Sequence, residues 1–392
     1  MFNVSIVKAD FLVLKFLGIV SITYIHEHSN WIEWQWSDKA LLPLVSRVRI
    51  LQGRLLGKLL TLGFELNVEA QLDAVTLEIV KTSEIEGETL NNEQVRSSVA
   101  RHLGLDNASM PTTTREIDAV VEMMLRATYH YQQPLLLDDL LGWHRALFPN
   151  GYSGLYRIEA GSVRDDSKGP MQVVSGGYGR ERVHFVAPSA DRLPDELDRF
   201  LLWFNTSSNE QDAIDLVIKA GIAHLWFVTL HPFDDGNGRL TRAITERMLA
   251  KNDNSAQRFY SMSAQILKQR NDYYKILERT QKGDTDISDW LVWFLQTLEQ
   301  ALIAAQETTD KTISKSGFWQ THRQHALNDR QVKMLNTLLT NLYGKLTTKK
   351  WATMTKCSID MALRDINDLI EKDMMQKSVA SGRSTSYELV LS

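Results

Sequence analysis

Twelve consecutive residues hold most of the reactive groups: His231-Pro-Phe-Asp-Asp235-Gly-Asn-Gly-Arg239-Leu-Thr-Arg242. An imidazole titrates near neutrality, so His231 can serve as a base. Asp235 supplies the hard oxygen that Mg²⁺ prefers. Gly236 and Gly238 let the backbone approach a ligand closely. A helix opening near Gly238 and running through Ala243, Ile244, Met248 and Leu249 would turn its unpaired N–H groups and positive dipole end toward an anion. Arg239 and Arg242, three residues apart, project from nearly one side of its first turn. Two guanidiniums over a helix N-terminus suit a polyphosphate. These are the parts of a phosphoryl- or nucleotidyl-transfer site. Gly-Asn-Gly alone would be a loop between helices; the whole set in so short a run is not.

Several elements must position these groups. Residues 213–230 are apolar nearly all round, but Asp215, Lys219 and His224 argue against a membrane span. A central buried helix is expected there, stopped by Pro232. Leu72, Val75, Ile79 and Val80 recur at helical spacing, with Asp73, Glu78 and Lys81 between them. Residues 151–188 are Gly-rich, and VVSGGYGRERVHFV reads as a hairpin turning at Gly176-Gly177. Residues 308–317 are polar and read as a linker. Beyond them come amphipathic helices at 330–339, 349–355 and 358–372, then strand-like runs at 374–379 and 384–389 around Ser381-Gly382-Arg383. Three helices and a hairpin are the pattern of a winged helix.

The composition is that of an ordinary globular chain. It has 392 residues, 43% hydrophobic and 23% charged, with a net charge of −4. Length alone suggests roughly two or three domains, and there is no global basic charge of a nucleic-acid coat protein. The single cysteine, Cys357, cannot form an intramolecular disulfide or a Cys-rich zinc site, so a reducing, cytoplasmic location is expected. The apolar run 11–20 is broken by Lys15 and too short to span a bilayer, and it lacks a clear signal-peptide pattern. It is expected to be a buried N-terminal segment or the product of a start read too early. His26, His28, His102, His130 and His144 lack zinc-ligand spacing and are read as structural, and Trp203, Trp226, Trp290 and Trp293 as core.

The segment 231–242 resembles the Fic-family signature H-P-F-x-D/E-G-N-G-R-x-x-R without a departure. The resemblance covers roughly residues 116–297, including a flap hairpin (173–186, with Val174, Ser175, Gly176, Gly177, Tyr178 and Gly179 at its centre) and Tyr273-Tyr274, similar to the family's nucleotide-base contact. The segment from Tyr24 (YIHEHSNWIEWQW) is similar to a domain that often precedes this core in bacteria. The resemblance implies transfer of AMP from ATP to a Ser, Thr or Tyr hydroxyl of a target protein. His231 would deprotonate the hydroxyl and Asp235 would hold Mg²⁺ on the α- and β-phosphates. Gly236, Asn237 and Gly238 would form the anion hole, and Arg239 and Arg242 would bind the β- and γ-phosphates. The family's kinase-like branch has Lys where this chain has Gly238, which points to nucleotidyl transfer. Upstream, Thr82-Ser-Glu-Ile-Glu86-Gly87 resembles the inhibitory motif S/T-x-x-x-E-G/N, in which Glu86 would pair with Arg242 in the place of the γ-phosphate.

The expected architecture is mainly α: an N-terminal helical domain (1–100, motif at 82–87), a Fic catalytic core with a short hairpin flap (101–307), a linker (308–327) and a C-terminal winged helix (328–392). The helix at 358–372 carries Asp360, Asp365, Asp368 and Glu371 against Arg364 and Lys372, a balance that phosphate repels. Protein docking or self-association, including a homodimer, is therefore preferred to DNA binding, and no membrane partner is expected. Two other functions compete with autoinhibited AMP transfer. One is removal of AMP from modified proteins, with Glu86 placing a water; the other is a nucleotide-sensing DNA-binding regulator.

Overall fold

The computed structural model describes residues 23–105, 110–176, 180–206, 214–341, 345–378 and 385–390. Expectations for the apolar N-terminal run, for Gly177, Tyr178 and Gly179, and for the Ser381-Gly382-Arg383 turn lie outside the described residues. The fold is mainly helical, with three small antiparallel hairpins among the described residues. No helix of the described residues is long and apolar enough to cross a membrane.

The chain divides into two compact units. The first comprises the described residues up to Gly57 together with Asn67–Ala305; the second comprises Lys58–Leu66 and the described residues from Gln306 onward.

In the first unit the central element is α7 (Leu216–Leu230), buried from Val217 to Leu230. It starts three residues later than the apolar run suggests, because Asp215 caps it by accepting from the Val217 N–H at 2.9 Å. Its Lys219 and His224 side chains are satisfied internally. Lys219 donates to the Thr206 carbonyl at 2.9 Å and lies over the Trp203 ring. His224 bridges Thr245 and Tyr273. Burial holds the Lys219 ammonium down to about 8 and the His224 ring down to about 3, so the ring is neutral.

Helix α8 (Asn237–Asp253) packs along α7, and α4 (Arg115–Tyr129) and α5 (Leu137–Leu147) pack on α8. Trp226 and Trp290 are core residues as expected, and the Trp290 indole donates to the Gly221 carbonyl at 2.8 Å. Trp203 and Trp293 are half-buried. Helix α1 spans Asp38–Thr61 and α2 spans Phe64–Ile85. Leu72, Val75 and Ile79 of α2 face the core, and so does Glu78, which the periodicity puts among the solvent positions. Its carboxylate accepts from the Ser261 hydroxyl and from the Ser263 N–H and hydroxyl. Hydrogen bonding, not hydropathy, accounts for that burial.

The hairpins are β1–β2 (Tyr152–Ser153, Tyr156–Arg157), β3–β4 (Gln172–Ser175, Arg182–Val186) and β5–β6 (Met375–Lys377, Tyr387–Leu389). The β3–β4 register shifts between Val173 and Val174, a bulge of the kind that re-aims side chains.

In the second unit α12 (Asp329–Asn341), α13 (Thr348–Thr355) and α14 (Ile359–Glu371) precede β5–β6, and Leu346 bridges to Tyr387. Their core holds Met334, Leu335, Trp351, Ile366, Leu369 and Met374. Residues 308–317, expected as a polar linker, are helical: they belong to α11 (Ser288–Thr321). Polarity along a helix that buries one stripe resembles a linker when read from composition alone. Two of the four acidic side chains of α14 are engaged. Asp365 is buried against Arg330 and Asn328, and Asp368 accepts from Gln331 and Lys372. Fewer free acids face solvent than the sequence count implies.

Candidate active site

His231 follows the last residue of α7 in a left-handed conformation (φ 48°, ψ 55°). Its Nδ1 lies 2.9 Å from the Val228 carbonyl. A carbonyl only accepts, so in the neutral ring Nδ1 carries the proton and Nε2 keeps its lone pair. Burial pushes the ring's pKa below its ordinary value; the Val228 bond opposes that shift, the Arg164 charge reinforces it, and Asp235 and Glu86 oppose it. The arrangement presents a base at neutral pH.

The loop from His231 to α8 is closed by Asn237. Its amide donates to the Phe233 carbonyl at 2.8 Å, and its Oδ1 accepts the Phe233 N–H at 3.0 Å. That side chain is tied to the loop through Oδ1 and one of its two amide N–H groups, and Asn237 also lines the cavity. The preceding Gly236 has φ 77°, a conformation that favours glycine. Helix α8 therefore opens at Asn237, one residue before the position expected from sequence.

Asp235 accepts the Gly236 N–H at 2.6 Å through Oδ1 and the Ser153 hydroxyl through Oδ2. Asp234 faces a second cleft beside Arg164 and Lys168, and the Glu159 N–H lies 3.4 Å from its carboxylate. The two neighbouring carboxylates thus serve different clefts.

Both arginines meet the segment after α2. Arg242, 2% exposed, donates from Nη2 to Glu86 Oε1 at 2.7 Å and to the Thr82 carbonyl at 2.9 Å, and from Nε to the Thr82 hydroxyl. Arg239 donates to Glu88 at 2.7 Å and lies over the Phe148 ring at 5.1 Å. The Glu86 carboxylate sits so close to α8 that a Cβ at Gly238 would lie 2.1 Å from its Oε1. Glu78 and Thr82 of α2 and Glu86, the first residue beyond it, follow at four-residue intervals, so the anchoring groups continue one helical face.

Helix α10 (Arg270–Gln281) brings Tyr273 and Tyr274 to the same cavity. Tyr273 is anchored in the core through His224 at 2.9 Å, while the Tyr274 hydroxyl lies 3.5 Å from the Ile85 carbonyl. On the opposite wall Val173, Val174, His184 and Phe185 come from β3–β4. Ser175 Oγ is 2.6 Å from His184 Nε2, and His184 Nδ1 is 2.7 Å from Glu278. Burial raises the Glu278 pKa, but hydrogen bonds from Lys282 and His184 outweigh it and bring the group down to about 2. The strands therefore rest on a fixed anion.

The site is an open cleft of about 850 Å³ counted to its mouth. His231, Asp235, Gly238, Tyr273, Tyr274 and Glu86 all line it. Of the residues expected from sequence, Gly236, Arg239 and Arg242 are not among the lining residues, the two arginines being held on Glu88 and Glu86; Ser175 and Gly176 follow the lining residue Val174, and Gly177–Gly179 lie outside the described residues.

Sequence reasoning missed Glu88, Ser153, His184 and Arg164. Glu88 had a readable signal, an acid immediately after the segment that resembles the inhibitory motif. The other three carried none. His144, read as structural, accepts the Gly161 N–H at 2.9 Å and stacks on Phe233 at 4.3 Å, where burial brings its ring down to about 4.

Residues 134–249 match the Fic/DOC family. The fold agrees: a Fic family protein from Desulfovibrio desulfuricans G20 superposes with a TM-score of 0.51 at 21% identity, over 91% of this chain and 97% of that one. The chain contains a Fic/DOC domain. Residues 24–105, ahead of it, match a domain of unknown function, DUF4172. The proteins named protein adenylyltransferase Fic from Drosophila ananassae and Drosophila grimshawi are each 27% identical to this chain over 216 residues, or 55% of its length. The chain spans only 39% and 40% of those relatives.

Proposed function

We propose that the Fic/DOC domain transfers AMP from ATP to a hydroxyl of a target protein, and that Glu86 restrains it. One observation carries the reading: the cavity joins a histidine with its Nε2 lone pair free to the N-terminus of α8. His231 Nε2 takes the hydroxyl proton as the oxygen attacks the α-phosphorus. The backbone at Gly236–Gly238 and the dipole of α8 stabilise the negative charge on the phosphate oxygens. Pyrophosphate leaves. Tyr274 and Tyr273 offer aromatic surface for the base, and β3–β4 forms the wall along which a target segment would lie. The names of the Drosophila relatives support the same chemistry.

Asp235 fits a magnesium ion because a single hard carboxylate beside bound phosphates is the usual protein share of such a site. When bound, Mg²⁺ would neutralise phosphate charge. No group of three or more His, Cys, Asp and Glu side chains among the described residues could hold a metal, so phosphate oxygens would complete the shell.

In this reading Glu86 occupies Arg242 and keeps the γ-phosphate from it. ATP that binds displaced has its α-phosphorus out of line with the attacking hydroxyl. Removal of AMP is the competing chemistry, because Glu86 lines the same cavity as His231 and could place a water. In the winged-helix reading of α12–α14 and β5–β6, the exposed Ile359 and Leu363 of α14 favour protein docking over DNA.

The test uses α-labelled ATP. Asp235→Ala is expected to lose magnesium-dependent labelling by orders of magnitude, whereas Asp234→Ala keeps most of it. Equal losses would mean that the nucleotide sits on the other side of the loop.

A further inference from the structure

Arg164 belongs to none of the motifs described above. It lies in the irregular run between β2 and β3, yet its side chain is only 1% exposed. Its Nε donates to the His231 carbonyl at 2.8 Å and its Nη2 to the Pro188 carbonyl at 2.5 Å. Nη1 donates to Asp166 at 2.8 Å, and the other oxygen of Asp166 accepts the Ala190 N–H at 2.7 Å. The backbone N–H of Arg164 donates to the Pro232 carbonyl at 2.9 Å. Two consecutive carbonyls of the signature loop therefore end on one residue. The same guanidinium holds the chain just after β4.

The conformation of His231 creates the need. A left-handed non-glycine residue is disfavoured and persists only where its surroundings fix it. The turn also takes the buried His231 carbonyl out of the α7 ladder, and a buried acceptor must find a donor. Arg164 supplies the donor.

We infer that Arg164 is a positioning residue for His231: it fixes the left-handed turn that aims the imidazole and ties that turn to the root of the β3–β4 hairpin. The inference rests on the reading of His231 as the base. A packing role alone would make Arg164 interchangeable with a side chain of similar volume. The positioning role requires the three-way fork, because a lysine ammonium cannot reach all three acceptors in those directions.

The test uses the full chain carrying Glu86→Gly. Labelling from α-labelled ATP gives kcat and KM, and calorimetry gives the Kd of a non-hydrolysable ATP analogue with Mg²⁺. Arg164→Lys is expected to lower kcat by about 10- to 100-fold while the analogue's Kd stays within roughly threefold, since an imidazole misplaced by about 1 Å costs rate and not phosphate binding. Asp166→Asn, a milder change, should lower kcat a few-fold in the parent and add nothing to Arg164→Lys. Arg164→Met should be at least as slow as Arg164→Lys; if it does not fold, the other two variants decide. An unchanged kcat in Arg164→Lys, or a kcat and an affinity that fall together, would overturn the inference. A parent that binds the analogue but labels nothing would instead count against AMP transfer. The ¹⁵N resonances of the His231 ring then decide: they must shift in Arg164→Lys, and unchanged resonances would refute the positioning role.

Discussion

Removing the Glu86 carboxylate should activate the enzyme through Arg242 and through no other residue. The pair is 2.7 Å apart, with Arg242 2% and Glu86 27% exposed. Two unit charges at that separation attract by about 6 kcal/mol at an effective dielectric near 20. Much of this is offset by desolvation of the guanidinium. A charge-assisted hydrogen bond of this type retains about 1.5–3 kcal/mol, which corresponds to roughly 10- to 150-fold in the occupancy of the productive ATP pose. The assay is the initial labelling rate at saturating α-labelled ATP for wild type, Glu86→Gly, Arg242→Ala and the double variant. Glu86→Gly should be faster by that factor. Arg242→Ala should not be activated, because it also removes the partner of the γ-phosphate, and the double variant should match Arg242→Ala. An unchanged rate in Glu86→Gly would refute the inhibitory reading, as would activation of the double variant. Slower removal of AMP from a pre-modified protein in Glu86→Gly would favour the reverse chemistry.

Three further outcomes follow from the same contacts. Glu88→Ala should activate much less than Glu86→Gly, at most a few-fold, because a half-exposed carboxylate on Arg239 contributes about 1 kcal/mol or less; labelling rates of the two variants side by side check this. Gly238→Ala should destabilise wild type more than it destabilises Glu86→Gly in urea unfolding, by about 1 kcal/mol at most, since the added methyl meets the Glu86 carboxylate, whose side chain can swing aside only by loosening its bond to Arg242; equal costs in both backgrounds would contradict it. Burial holds His144 at about 4, so it is neutral when folded, and its contribution to stability is present above pH 6.5 and lost as pH falls toward 4. The slope of unfolding free energy between pH 6 and 5 should therefore be shallower in His144→Gln by about 1 kcal/mol per pH unit, and an unchanged slope would show that folding does not lower the ring's pKa.

The parts of the site that are contiguous in sequence were legible, and those assembled across the fold were not. The run from His231 to Arg242 announces a base, a carboxylate and an anion-binding helix start, because each function there follows from residue type and local spacing. The pairing of Glu86 with Arg242 came from the resemblance, and the contact itself depends on α2 packing by Glu78 onto Ser261 and Ser263. Periodicity assigns Glu78 to solvent because it weighs hydropathy and not available donors. Helix α11 was hidden for a related reason, since a polar stretch can continue a helix whose other stripe is buried. Arg164 and His184 act through tertiary contacts with segments far away in the chain, and nothing local distinguishes them from surface residues.

The most direct test of AMP transfer compares ATP labelled at the α-phosphate with ATP labelled at the γ-phosphate, using Glu86→Gly and Mg²⁺, with Glu86→Gly/His231→Ala as the control. The account predicts that the α-label becomes protein-bound, that the γ-label leaves as pyrophosphate, and that His231→Ala abolishes labelling while the protein still binds ATP. Retention of the γ-label on protein, or labelling at the parental rate without His231, would contradict it.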